Sequence, residues 1–229
     1  MIHFLHVTKT FSNDWKGLND VSFKIGKGEF VFLTGHSGAG KTTILRLIYM
    51  DERPDPERGG QVLVHISPDQ VFDSKNTPEH RVQELRRKIG IVFQDFKLLN
   101  DRNVFENIAL ALRIVGCSSD QIKPRVYEAM ALVGMSHRRA AMPYTLSGGE
   151  QQRVAIARAM VHNPYILLAD EPTGNLDPEN AQEVFQIFKE INARGTAILM
   201  ATHNPGFYLN NSFRRLVLAQ GQLVNRDIL

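Results

Sequence analysis

The segment Phe30-Val31-Phe32-Leu33-Thr34 is almost continuously apolar and runs without a break into Gly35-His36-Ser37-Gly38-Ala39-Gly40-Lys41-Thr42. A strand covered on both faces has this look, because neither face needs polar residues. Apolar residues at 44, 45, 47 and 48 then recur at helical spacing. Strand, glycine loop and helix in that order put the loop at the carboxyl end of a parallel strand, where such sheets bind ligands. Glycines let the backbone curl so that successive N–H groups converge on phosphate oxygens, and the following helix turns its positive end to the same point. Gly35, His36, Ser37, Gly38, Ala39, Gly40, Lys41, Thr42 and Thr43 are therefore the expected phosphate-binding residues. Lys41 would reach the β- and γ-phosphates, and the Thr42 hydroxyl would hold Mg²⁺.

A second chemical feature is Asp170-Glu171, directly after the apolar run Ile166-Leu167-Leu168-Ala169. An acid pair at the carboxyl end of a parallel strand faces the ligand. Asp170 would accept from Mg²⁺-bound water, and Glu171 would orient or deprotonate the attacking water. The third is Leu146-Ser147-Gly148-Gly149-Glu150-Gln151-Gln152. Its Ser-x-x-Glu spacing starts a helix, and a Gly-Gly helix start with a serine hydroxyl is also an anion site. One chain with two anion sites and one nucleotide suggests that another molecule brings the second site.

The rest of the chain reads as strands alternating with helices. Strands are expected at Ile2–Val7, Leu18–Ile25, Ile89–Phe93, Tyr165–Ala169 and Thr196–Ala201, and 51–80 reads as turns around one strand at Gln61–Ile66. Thr77-Pro78-Glu79 has the order of an N-cap, a first-turn proline and an acid. From Asn100 to His162 the pattern is helical, with one stripe through 104, 108, 111, 112 and 115 that Gly116 ends, and another through 122, 126, 129, 130 and 133. Asp177-Pro178-Glu179 caps a helix with apolar positions 181, 184, 185, 188 and 191. Such alternation predicts an α/β fold, a parallel sheet with helices on both faces and a helical insert.

Bulk properties exclude several classes. No apolar run in the 229 residues approaches the ~18 that a membrane helix needs. The N-terminus lacks a basic flank followed by a long apolar stretch, so no signal peptide is expected. The single cysteine, Cys117, excludes an internal disulfide, fits a reducing cytosol and reads as a buried thiol. The net charge of +3 is mildly basic. Clusters at Arg86-Arg87-Lys88, His137-Arg138-Arg139 and Arg214-Arg215 read as solvated faces rather than a nucleic-acid stripe, since acids are interspersed.

Over essentially its full length the sequence resembles the ATP-binding cassette (ABC) ATPases. Leu146–Gln152 resembles the family signature, Lys41 and Thr42 its first nucleotide motif, and Asp170 and Glu171 its second motif with the catalytic glutamate. The resemblance implies that Gln94 senses Mg²⁺ and the γ-phosphate, that Asp177 is the D-loop acid, that His203 is the switch histidine, and that Phe11 stacks on adenine. It implies catalytic roles for Glu171, His203 and Lys41, a metal set of Thr42, Gln94 and Asp170, and nucleotide contacts from Ser147, Gly148, Gly149 and Glu150. It also implies one ABC ATPase domain over 1–229, with a core at about 1–94 and 163–229 and a helical subdomain carrying the signature at about 95–162. The core would hold the mostly parallel sheet and an N-terminal antiparallel β subdomain.

The stretches at 33–41, 93–95 and 168–177, with Leu98-Leu99 and Asp101-Arg102, resemble the cell-division branch of the family, whose ATPase acts with the membrane protein FtsX. That branch implies a subunit at the cytoplasmic face of the bacterial inner membrane, at the septum, controlling cell-wall hydrolases by transmitted motion. ATPases of lipoprotein-release and macrolide exporters share LSGGEQQRVAIARA and LADEPTGNLD and are the alternative. ATP, Mg²⁺, an ATP-dependent homodimer and an integral membrane partner are the implied associates, with no nucleic acid. Phe96, Leu98 and Leu99 would meet the membrane partner, or else pack internally. A phosphate-loop kinase has no use for LSGGE, and a chromosome-handling cassette needs a coiled coil or zinc insert that the chain has neither heptads nor cysteines to build.

Overall fold

The computed structural model describes residues 1–12 and 15–225. Positions 13, 14 and 226–229 of the expected 1–229 domain lie outside the described residues. Two sheets face each other. The first, of order β2-β1-β4-β5, is antiparallel and comprises β1 (Ile2–Thr10), β2 (Lys16–Ile25), β4 (Gln61–Ser67) and β5 (Gln70–Asp73). The second, of order β10-β9-β3-β8-β7-β6, comprises β3 (Phe30–Thr34), β6 (Ile89–Val92), β7 (Ile166–Asp170), β8 (Ala197–Thr202), β9 (Arg214–Ala219) and β10 (Gln222–Asn225). All its pairings are parallel except β9 with β10.

The apolar strands divide their residues between two cores by simple alternation. Val31 and Leu33 of β3, Leu168 of β7 and Leu199 of β8 face the antiparallel sheet, with Ile44, Leu47 and Ile48 of α1 (Lys41–Ile48). Phe30 and Phe32, Leu167 and Met200 face the opposite way. There they meet α3 (Val104–Ile114), α4 (Ser119–Leu132), α5 (Gly148–Met160) and α6 (Pro178–Ala193). α2 (Glu79–Arg86) and α7 (Pro205–Tyr208) complete the set among the described residues.

Several expectations need correction. The region 51–80 holds two strands, because β5 folds back on β4 and buries Phe72 completely. With only Val71 and Phe72 apolar, β5 is too short to leave a periodic signature. Pro78, not Thr77, caps α2, since the Thr77 hydroxyl accepts from the Asp73 N–H at 2.8 Å and closes the preceding turn. β1 runs past Val7 to Thr10 after an irregularity at His6, whose φ is 49°. The basic clusters are not merely solvated. Arg86 donates to the Tyr49 and Met50 carbonyls at the end of α1, each at 3.1 Å, and Arg138 and Arg214 pair with Glu150 and Glu29 at 3.0 and 2.9 Å. Cys117 is only half-buried and lies against the helical core.

Candidate active site

β3, β7 and β8 end side by side, and the loops that follow them build one cavity of about 450 Å³. Between β3 and α1 the loop must pass under neighbouring backbone. A Cβ at Gly35, whose φ is 153°, would strike the Leu218 carbonyl, and one at Gly40, whose φ is 107°, would strike that of Gly17. Only glycine fits both positions. His36, Ser37, Gly38, Gly40, Lys41, Thr42 and Thr43 line the cavity. Gly35 and Ala39 do not: Ala39 is 5% exposed and belongs to the core beneath.

The charged groups are tied to one another. Lys41 is buried, and its Nζ donates to the carbonyls of Gly35 at 2.8 Å and His36 at 3.2 Å. The same Nζ lies 3.3 Å from Glu171 Oε1. Thr42 Oγ1 donates to Asp170 Oδ2 at 2.8 Å, joining α1 to β7. Glu171 Oε2 accepts the His203 backbone N–H at 3.2 Å and lies 2.9 Å from His203 Nδ1. Glu171 itself holds φ at 47°, a left-handed value that a non-glycine residue keeps only where its surroundings impose it. Its N–H donates to the Ala201 carbonyl at 2.9 Å, which extends the β7–β8 pairing and turns the carboxylate inward.

Burial raises the Asp170 pKa above the ordinary carboxylate value. The Thr42 hydrogen bond opposes this, the nearby Glu171 adds to it, and Lys41 opposes it again. The Thr42 hydroxyl and Asp170 carboxylate form a hard oxygen pair at one point, which suits Mg²⁺. Gln94 also lines the cavity, but its amide Nε2 donates to Asn175 Oδ1 at 3.2 Å, while Asn175 Nδ2 donates to the Gln94 carbonyl at 3.1 Å.

One expectation, that of Phe11, parts from this geometry, and the second anion site stands apart from the cavity as its assignment to another molecule requires. Phe11 does not line the cavity; Trp15 does, with Phe11 stacked against it at 5.3 Å between ring centroids. A lone tryptophan in the turn between the first two strands was the available signal. Ser147, Gly148, Gly149, Glu150 and Asp177 also lie away from the cavity. There Ser147 and Glu150 close a reciprocal capping box at the start of α5, and Asp177 caps α6 by accepting the Asn180 N–H at 3.0 Å. A Cβ on Gly149 would collide with Asn180, so the two helix starts are packed together.

A glycine loop on a parallel sheet, with a buried lysine, a hydroxyl–carboxylate pair and a second acid held by a histidine, defines a phosphate-loop nucleotide hydrolase. The family model described as ABC transporter matches residues 18–174. Two relatives bear the name cell division ATP-binding protein FtsE. That of Bacillus subtilis (strain 168) is 45% identical over 227 residues, covering 99% of this chain and 96% of that protein. That of Escherichia coli (strain K12) is 45% identical over 223 residues, covering 97% of each. The dimeric post-hydrolysis structure of the ATP-binding cassette MJ0796, bound to ADP and Pi, superposes with a TM-score of 0.86 at 31% identity, covering 98% of this chain and 97% of that one. The chain belongs to the ABC transporter family and is an ABC ATPase.

Proposed function

We propose that the chain is the ATP-hydrolysing subunit of a membrane complex of the FtsE kind. It would act with an FtsX-like integral membrane partner in bacterial cell division and drive the control of septal cell-wall hydrolysis. The 45% identity to FtsE proteins over nearly the whole chain supports this reading. No helix among the described residues is long and apolar enough to cross a membrane. On the likeness to FtsE proteins, the subunit would dock on its membrane partner at the cytoplasmic face of the inner membrane and at the septum. Leu98 packs into the helical core whereas Leu99 remains 36% exposed, so the docking surface centres on Leu99 and the half-buried Phe96. The chain is taken as one ABC ATPase domain, with a core of 1–94 and 163–229 and a helical subdomain of 95–162.

Within each site, residues 36–38 and 40–43 cradle the phosphates, and Lys41 exchanges its loop carbonyls for phosphate oxygens. Trp15, backed by Phe11, is the platform for the base. Thr42, Asp170 and Gln94 hold Mg²⁺, which supplies charge neutralisation on the phosphate oxygens. Glu171 takes the proton of the attacking water, and His203 keeps that carboxylate aimed. The separation of Ser147–Gly149 and Asp177 from the cavity carries the dimer reading: the second anion site serves the partner copy's nucleotide, in a head-to-tail pair. The MJ0796 cassette, similar over 98% of this chain, is dimeric with ADP and Pi.

The deciding experiment is recovery of a tagged Glu171→Gln variant from native membranes with Mg-ATP, followed by identification of its companion. An FtsX-like protein is the expected companion. A permease of the lipoprotein-release or macrolide-export kind would keep the ATPase and discard the cell-division role.

A further inference from the structure

Beyond Gln94 the chain turns through two consecutive left-handed residues, Phe96 at φ 59° and Lys97 at φ 51°. Neither is glycine, so both are held against a steric preference. Beside the bonds within the loop from Lys97 to Asp95, the hold from outside it comes from Arg158, in the last turn of α5. Its Nη1 donates to the Lys97 carbonyl at 2.6 Å and its Nη2 to the Phe96 carbonyl at 2.9 Å. A planar guanidinium can engage two successive carbonyls as a fork, which a lysine ammonium cannot reproduce. Among the described residues no carboxylate lies within ion-pair distance of Arg158, and its burial lowers its pKa below the ordinary guanidinium value. A half-buried cation without a counter-charge is an unfavourable choice for folding alone.

The same helix touches the loop a second time. A Cβ on Gly148 would lie 3.8 Å from the Phe96 ring, so that ring sits beside the first residue of α5. On its other flank the loop is tied by the paired Gln94–Asn175 hydrogen bonds.

We infer that Arg158 is a positioning residue that locks the Gln94 loop to α5, so that the loop facing this chain's nucleotide and the Ser147–Gly149 terminus offered to a partner's nucleotide move as one piece. This rests on the shared-site reading proposed above. Without the fork, each chain still binds ATP, but Gln94 and the signature terminus no longer arrive together.

The test compares the full-length parent with Arg158→Gln and Arg158→Lys, each also in a Glu171→Gln background. Amide hydrogen exchange over 96–99, affinity for a fluorescent ATP analogue, hydrolysis and ATP-driven dimerisation are measured. The expected result for Arg158→Gln is roughly tenfold faster exchange confined to that loop. Affinity should stay within about twofold and kcat fall roughly ten- to a hundredfold, as misplacement of a reacting group does. Arg158→Lys, which keeps the charge and loses the fork, should follow in direction and remain testable if the glutamine variant does not fold. Unchanged loop exchange, or kcat within about twofold of the parent, overturns the proposal. So does a parallel loss of ATP affinity and melting temperature, the mark of a merely structural arginine. If Glu171→Gln alone fails to dimerise with ATP, the shared-site reading falls, while exchange and kcat still decide the role of Arg158.

Discussion

Asp170 sets folding against chemistry. Its carboxylate must be charged to hold a cation, yet burial makes the charged form unfavourable and lifts the pKa above the 3.8 of a free side chain. The folded protein therefore takes up that proton more readily than the unfolded chain. Stability from this site is fully present below pH 3.8 and is lost as pH rises through the higher folded value. At neutral pH the ionised group opposes folding of the nucleotide-free protein. Asp170→Asn keeps an acceptor for the Thr42 hydroxyl and removes the charge. It should raise stability at pH 7 by about 1 kcal/mol, or about 2–4 °C in melting temperature, while hydrolysis falls at least about a hundredfold. Thermal melts at pH 7 and pH 4 check the sign, because the gain should shrink on acidification. Trp15 offers an optical test, being the chain's single tryptophan. ATP should change its emission, and Trp15→Ala should weaken binding roughly tenfold, the value of one base–aromatic stack. Flat emission at saturating ATP, with Phe11→Ala abolishing binding, would return the platform to Phe11. Lys41, Thr42, Asp170 and Glu171 were legible because each sits a fixed few residues from a strand end. Trp15 was not, because its position depends on how a turn folds over a distant loop.

Among elements, the start of α5 was plainly legible, since Ser147 and Glu150 have the spacing of a capping box, which the structure closes. Arg158 falls in sequence between the buried Ala157 and Ala159, and a charge in so apolar a stretch was the available sign of its carbonyl clamp. β5 and the segment α7–β9–β10 gave no sequence expectation. β5, α7 and β10, of four residues each, carry too few residues to show a period, and β10 is positioned by its antiparallel pairing with the six-residue β9 rather than by its own pattern. The start of α5 has two proposed jobs that substitution can separate. Ser147→Ala loses the hydroxyl that accepts the Glu150 N–H at 3.2 Å, and should cost about 1 kcal/mol of stability. Ser147→Asp keeps a good cap, so its melting temperature should stay within about 2 °C of the parent. It also puts a carboxylate where a phosphate is to be met, so its hydrolysis should fall about a hundredfold or more. A Ser147→Asp variant with parental activity would leave this terminus a cap and nothing else.

For the whole molecule, the motifs announced which groups take part and that one chain carries two anion sites, but not what keeps the two apart. That separation is a product of packing: α5 begins against α6 at Gly149 and Asn180, whereas Lys41 and Glu171 meet where β3, β7 and β8 end. A chain that presents half of each site should be a concentration-dependent enzyme, because two chains must associate before either nucleotide is covered on both sides. The specific rate of ATP hydrolysis should therefore rise with protein concentration and level off once most chains are paired. Glu171→Gln, which leaves phosphate binding intact, should run as a dimer with Mg-ATP and as a monomer without it, while its hydrolysis falls by about 10²–10⁴. Lys41→Ala, which lacks the cation at the phosphates, should remain a monomer in both conditions. Sizing at several concentrations, with hydrolysis measured on the same samples, makes the comparison direct. If specific activity stays constant from nanomolar to micromolar protein while the chain sizes as a monomer throughout, each chain completes its own site and the head-to-tail pair is wrong.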